Sequence, residues 1–130
     1  MELRVQELWF SFRGRATRSD YWLRTWLPLT VLSLMLNKFA LEASRQGEMS
    51  PAVIASLVFS LFAIWPSAAV AIKRLHDRGK PGWWLLLIFV PLIGAIYLLV
   101  EVGFLRGTVG ENRFGSDPLG GEAAMDLDAE

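Results

Sequence analysis

The chain has 130 residues, 53% of them hydrophobic, with a mean hydropathy of +0.36 and 13 basic side chains balanced by 13 acidic ones. That length holds one domain, residues 1–130, and a soluble domain of this size could hardly bury so much apolar surface, so the bilayer is the expected solvent. The lack of cysteine excludes a disulfide framework and thiolate chemistry, and a net charge of zero gives no footprint for nucleic acid.

The total charge hides an uneven distribution. Basic residues cluster in the first 25 positions and again at 73–80, whereas residues 122–130 carry four acids and no base. Residues 4–20 alternate aromatics and arginines: Leu8-Trp9-Phe10-Ser11-Phe12-Arg13-Gly14-Arg15-Ala16-Thr17-Arg18. Amphipathic rings and basic side chains both favour the headgroup layer, so this stretch is expected to be an amphipathic interfacial segment. A signal peptide is rejected: the segment is too long and too charged, and Leu41-Glu42-Ala43 is a poor cleavage site.

Three apolar stretches follow, and the expected fold is an all-α membrane protein with three transmembrane helices. The first span, residues 21–41, contains Arg24, Asn37 and Lys38, whose long basic side chains can snorkel from near the helix ends. Asp20 precedes Arg24 by one helical turn, a favourable pair. The second span, Ala52 to Ile72, is 21 residues without a charge, enough to cross a hydrocarbon core of about 30 Å. Pro51 suits its first turn, Ser50 its N-cap, and Lys73-Arg74 its end. The third, residues 83–105, is uncharged for the 18 residues from Trp83 to Val100 but carries Pro91 and Gly94 in its middle. Those residues imply either a kinked helix or a chain that turns back. Residues 106–130 form a C-terminal tail whose last residues are expected to lack structure.

Loop charge sets the orientation. Arg4, Arg13, Arg15, Arg18 and Arg24 lie before or within the start of the first span, and Lys73, Arg74, Arg78 and Lys80 follow the second. By the positive-inside rule both groups are cytoplasmic, and three crossings then place the C-terminus in the periplasm.

Several motifs have both a structural and a functional reading. Arg13, Arg15 and Arg18 serve as a topology signal with aromatic anchors, or as a site for an anionic headgroup, with Gly14 permitting a close backbone approach. Tyr21 and Trp22 continue that face. In Lys73-Arg74-Leu75-His76-Asp77-Arg78-Gly79-Lys80-Pro81-Gly82-Trp83-Trp84, the adjacent His76 and Asp77 suggest a general base and its orienting carboxylate. Sequence adjacency does not supply that geometry, and a hydrogen-bonding His76 with an Asp77 paired to an N-terminal arginine is the plainer expectation. One histidine and no cysteine make a transition-metal site improbable. Along the second span, Ser56, Ser60, Ala63, Ser67 and Ala71 form a small-residue stripe suited to helix packing. Lys38 and Glu101, each near an outer helix end, are candidates for an interhelical ion pair. The glycines of residues 107–118 lack the Gly-Lys-Ser/Thr of a phosphate loop and read as a turn-rich cap.

Taken in order, three of these segments resemble the bacterial domain-of-unknown-function family 805, the YhaH-like inner membrane proteins. The matching residues are Phe12-Arg13-Gly14-Arg15 with Arg18 and Tyr21-Trp22, then Arg74-Leu75-His76-Asp77 with Gly82-Trp83-Trp84. The third set is Gly107-Thr108, Gly110, Asn112-Arg113-Phe114-Gly115 and Asp117-Pro118. The resemblance covers about residues 8–118 and implies a small multi-pass protein of the bacterial inner membrane, without implying an activity. The expected function is non-enzymatic and cofactor-free: binding partner membrane helices, a second copy, or anionic phospholipid, as an accessory subunit of a larger complex. A small oligomeric transporter or channel is the alternative, and an enzyme acting on lipid headgroups is a third. The inner-face residues on which lipid or partner binding would depend are Arg13, Gly14, Arg15, Arg18, Tyr21, Trp22, Arg74, His76, Asp77, Trp83 and Trp84.

Overall fold

In the computed structural model, residues 4–47 and 49–120 are described, and among them the regular elements are all helices, joined by irregular segments, with no strand. The acidic end of the chain lies outside the described residues. A short helix, α1 (Val5–Phe10), leads through irregular residues to α2 (Arg18–Tyr21), which opens on a capping box. The Thr17 hydroxyl accepts the Asp20 N–H, and the Asp20 carboxylate accepts that of Thr17.

From α2 the chain stays helical through a wide π turn, Trp22–Trp26, into α3 (Leu27–Ser44). Pro28 explains the widening. It has no N–H for the carbonyl four residues back, and its ring would clash there. That carbonyl belongs to Arg24, and it accepts the Trp9 indole N–H at 3.3 Å instead. Arg18 to Ser44 is therefore one helical stretch covering the first expected span. As expected, Arg24 pairs with Asp20 at 2.7 Å.

A short connection returns the chain antiparallel along it as α4 (Pro51–Asp77). Ser50 takes the extended conformation of an N-cap, but its hydroxyl makes no cap bond. Among the described residues α4 is the one helix long and apolar enough to cross a membrane. Only 22% of its most apolar stretch is buried, whereas the core helix of a water-soluble domain would be mostly covered.

The third expected span is not one continuous helix. Gly82–Phe89 forms a 3₁₀ helix, and the chain reverses at Val90–Leu92. It then returns through α5 (Ile93–Leu98) and a second π stretch, Leu99–Phe104. Pro91 forces Val90 into extended backbone. Leu92, at φ 62° and ψ −63°, closes a γ-turn in which the Ile93 N–H reaches the Pro91 carbonyl at 2.7 Å. Tyr97 comes back to face Trp84, with ring centroids 6.2 Å apart, and Lys80 reaches both Tyr97 and Glu101. At about 2.0 Å per 3₁₀ residue the outgoing arm is roughly 16 Å long, half a hydrocarbon core. The turning-back alternative is thus the one the chain adopts. Its tip is apolar and open, with Phe89 80% and Leu92 74% exposed.

The reversal has two consequences. Residues 106–120 return to the end of the molecule that carries the N-terminal segment, where Arg15 donates to the Thr108 and Gly110 carbonyls. Glu101 comes with them, and it pairs with Arg78 and Lys80 rather than with Lys38.

The N-terminal segment is also not a flat surface helix. Leu8 packs with Val70 and Ala16, Phe12 meets Trp65 edge-on at 5.0 Å, and Phe10 lies near Phe62 at 6.3 Å. Phe62 is roughly 16 Å along the axis from Lys73 at 1.5 Å per residue, so the segment folds up against α4.

Candidate functional site

The basic end of the molecule is held by one acid between two arginines. Asp77, at the last turn of α4, receives Arg15 Nε at 2.9 Å on Oδ1 and Arg74 Nη1 on Oδ2. All three side chains are nearly inaccessible, at 6%, 1% and 1% exposure. Two buried guanidiniums on one carboxylate leave an excess positive charge, and buried charge is tolerated only where its remaining donors are satisfied. They are satisfied by carbonyls. Arg74 donates to Val102 at 2.7 Å, Ala16 at 3.0 Å and Leu105 at 2.7 Å. Arg15 donates to Gly110 at 2.6 Å and to the carbonyl of Thr108. The planar, multi-donor guanidinium is suited to this work, because one side chain can collect carbonyls from several strands of backbone.

The clasp draws four segments together: the N-terminal stretch, the end of α4, the returning arm of the hairpin, and residues 107–115. Gly107 lies so close to Asp77 that any Cβ there would collide with the carboxylate. The Thr108 N–H donates to the Asp77 carbonyl at 2.6 Å. Beside the clasp Lys73, fully buried, donates through Nζ to the Glu7 and Leu8 carbonyls at 2.6 Å each, closing the end of α1.

A second, more open set sits across the hairpin base. Glu101 Oε1 accepts Arg78 Nε at 2.9 Å and Lys80 Nζ at 2.6 Å. Partial burial alone would lower the Lys80 pKa, but its bonds to Glu101 and Tyr97 outweigh that and hold the ammonium above its ordinary value. In the outer loop, slight burial would raise the Asp117 carboxyl, yet the Gly110 and Leu119 N–H groups and the charges of Arg15 and Arg106 keep it below the usual range.

His76 and Asp77 do not form an acid–base pair. The His76 Nδ1 lies 2.9 Å from the Gly14 carbonyl, which can only accept, so this nitrogen carries the proton. Its ring stacks on Phe114 at 4.1 Å and 3°. Gly14 adopts φ +92°, a left-handed turn that favours glycine, and no neighbouring atom of the described residues lies within 4 Å of where a Cβ would stand.

The other expected residues divide between inside and outside. Tyr21 is half-buried between the two apolar clusters, and the Trp22 indole donates to Gly103 at 2.7 Å. Trp84 packs on Leu75 and Leu98 while Trp83 is 64% exposed. Arg13 and Arg18 are exposed, and Arg18 Nη1 reaches the Phe104 carbonyl at 3.1 Å. Of the small-residue stripe only Ser56 is buried; Ser60 and Ser67 are exposed, and Ala63 and Ala71 are partly covered. Glu101 and Gly107 were missed as parts of this end, and Lys73, expected here by its charge, was not foreseen as a donor to the Glu7 and Leu8 carbonyls. One signal for Glu101 was available: a lone acid in an apolar stretch requires a cation, and the nearest free group of cations was the 73–80 loop.

Comparison with known proteins accounts for the shared motifs. A family described as "Protein of unknown function (DUF805)" matches residues 9–116. The chain belongs to this family. It is 39% identical to the inner membrane protein YhaI of Escherichia coli K12, over 89% of this chain and 92% of the relative. Identity to the inner membrane protein YhaH of the same strain is 35%, covering 89% and 93% of the two chains. A third relative, the uncharacterized protein YiiR, is 31% identical over 87% and 89%. No solved structure matches. The residues gathered by the clasp, from Arg15 to Gly115, all fall inside the matched region.

Proposed function

We propose that this inner membrane protein is non-enzymatic and engages anionic lipid through an exposed arginine face built on the clasp. The carrying observation is the division of labour among arginines. Arg15 and Arg74 are consumed inside, whereas Arg13 and Arg18 stay exposed beside Trp22 and Phe12, the residue mix that favours a headgroup layer. The two helical stretches Arg18–Ser44 and α4 would cross the bilayer, and the 82–104 hairpin would be re-entrant. With the hairpin turned back, Arg106 and Arg113 join the basic end, leaving Lys38 and Arg45 on the other side. That sharpens the charge bias for a cytoplasmic N-terminal segment and a cytoplasmic residue 106–120 loop. Both carboxylate oxygens of Asp77 are engaged by arginines, and His76 Nδ1 is turned to the Gly14 carbonyl, so the adjacent pair is not arranged as a base with its carboxylate.

Two measurements test this reading. Single cysteines at Ser11 and Ser116 should react with an impermeant maleimide from the same side, and one at Gln46 from the other; opposite sides for Ser11 and Ser116 would refute the topology. Purified protein in discs of mixed phosphatidylcholine and phosphatidylglycerol should enrich the anionic lipid, less so after Arg13→Gln with Arg18→Gln. Equal retention of both lipids would refute headgroup recognition.

A further inference from the structure

A cleft of about 650 Å³ runs between three elements on the membrane-facing side. Its floor is the small-residue stripe of α4, including Ser60, Ala63 and Ser67; one wall carries Thr25 and Trp26, and the other carries Leu98 and Val102. Among the described residues no helix fills it, since Ser60 and Ser67 are exposed. The volume lies within the few hundred to about 1,000 Å³ typical of small-ligand sites.

Two polar features make the cleft asymmetric. Thr25 on the wall is only 2% exposed, and its hydroxyl has no hydrogen-bond partner among the described residues. A buried hydroxyl left unpaired is costly, so its persistence points to an acceptor supplied from elsewhere. Toward the basic end, Arg18 begins the helical stretch that carries Tyr21 and Thr25, two residues of the cleft's lining. Its bond to the Phe104 carbonyl ties the start of that stretch to the end of the returning hairpin arm, two residues beyond Val102 of the cleft wall, while its side chain stays exposed. The Arg18–Thr25 separation along the axis is roughly 10 Å.

We infer that this cleft holds one anionic phospholipid of the surrounding bilayer. An acyl chain lies along the small-residue floor, an ester carbonyl accepts the Thr25 hydroxyl, and the phosphate meets Arg18. An apolar body with an acceptor below an anionic head matches what the cleft presents in order, whereas a neighbouring protein helix spends its backbone carbonyls internally and would need an acceptor side chain at both depths. The inference rests on the anionic-lipid reading above and adds to it a defined site with a defined tail position.

The test uses the full chain in discs of phosphatidylcholine containing about one-fifth phosphatidylglycerol, extracted gently and weighed intact by native mass spectrometry. The wild type should retain one phosphatidylglycerol, preferred over phosphatidylcholine by roughly tenfold, a difference of about 1.4 kcal/mol. Ala63→Phe should abolish retention of either lipid by filling the floor, and Arg18→Gln should keep a lipid but lose the preference. Thr25→Val removes an unpaired buried hydroxyl, so it should fold at least as well as the wild type and still retain several-fold less lipid. Undiminished retention in Thr25→Val and in folded Ala63→Phe would overturn the cleft while leaving headgroup recognition standing. No preference in the wild type would overturn both. A stable dimer whose formation is blocked by Ala63→Phe would assign the cleft to a second copy and overturn the lipid.

Discussion

The two ends of the molecule are built by different means. At the basic end Lys73, Arg74 and Leu75 are fully buried, and segments separated by up to a hundred positions are tied through Arg15. Toward the other end α3 and α4 lie against each other with little covered beyond Leu29, Ala40 and Ser56, while Leu34, Leu57 and Leu61 are 66%, 59% and 71% exposed. In lipid there is no hydrophobic gain from bringing two apolar helices together, so packing there is loose and sequence-tolerant. Where the chain has irregular backbone, every carbonyl still needs a donor, and arginine side chains supply it. Specificity of this fold therefore resides in its polar end.

That contrast is tested most strongly at Asp77. Asp77→Asn keeps the shape but leaves Arg15 and Arg74 buried together without a counter-charge, a loss expected to cost about 3–5 kcal/mol. Unfolding in mixed micelles, followed by far-ultraviolet circular dichroism, should show it. Leu61→Ala at the other end should stay within about 0.5 kcal/mol. Comparable losses at the two positions would refute the division.

The next effect in size belongs to the hairpin base. Glu101→Gln removes the acid shared by Arg78 and Lys80 and should cost about 1–3 kcal/mol. Amide exchange should quicken across residues 93–104 more than across α4. Uniform quickening would mean that the hairpin is not a separately held unit.

How far these regions were legible follows from the same contrast. The span 52–72 could be read because a long uncharged run has one structural outcome, and the Asp20–Arg24 pair because helical spacing fixes it. An Asp77 paired to an N-terminal arginine was also expected, since a buried acid needs a cation. The hairpin was left open between a kink and a turn, because Pro91 and Gly94 are compatible with either, and helix periodicity carries no information about reversal. Lys73 and Gly107 were out of reach for another reason: their roles depend on carbonyls and a carboxylate brought from distant segments, which no local pattern records. The small-residue stripe was visible, but small side chains line an open cleft as well as they permit a close helix.

The hairpin tip offers an effect of opposite sign. Leu92 occupies a γ-turn conformation in which a Cβ is crowded, while its side chain is 74% exposed and packs little. Leu92→Gly should relieve roughly 1–2 kcal/mol of strain and give back a part of it as unfolded-state entropy, for a net gain of about 1 kcal/mol. A loss on the same unfolding assay would mean that the exposed leucine contributes more than its turn costs.

The smallest effect concerns pH at the outer edge of the clasp. Asp117 receives the Gly110 N–H at 2.9 Å and the Leu119 N–H at 3.0 Å, so its ionised form staples the residue 107–119 loop. Its pKa is held below that of an unfolded aspartate, and the folded state therefore binds this proton less readily than the unfolded one. The contribution is complete above the ordinary aspartate range and fades as pH falls through that range toward the folded value. Because the side chain is largely solvated, the loop should loosen while the clasp beneath it holds. Limited proteolysis near Ser116 should accelerate on acidification in the wild type and be fast at every pH in Asp117→Asn. A wild-type rate independent of pH would show that backbone turns hold the loop without the carboxylate, and would move the boundary of the rigid end inward to Arg15.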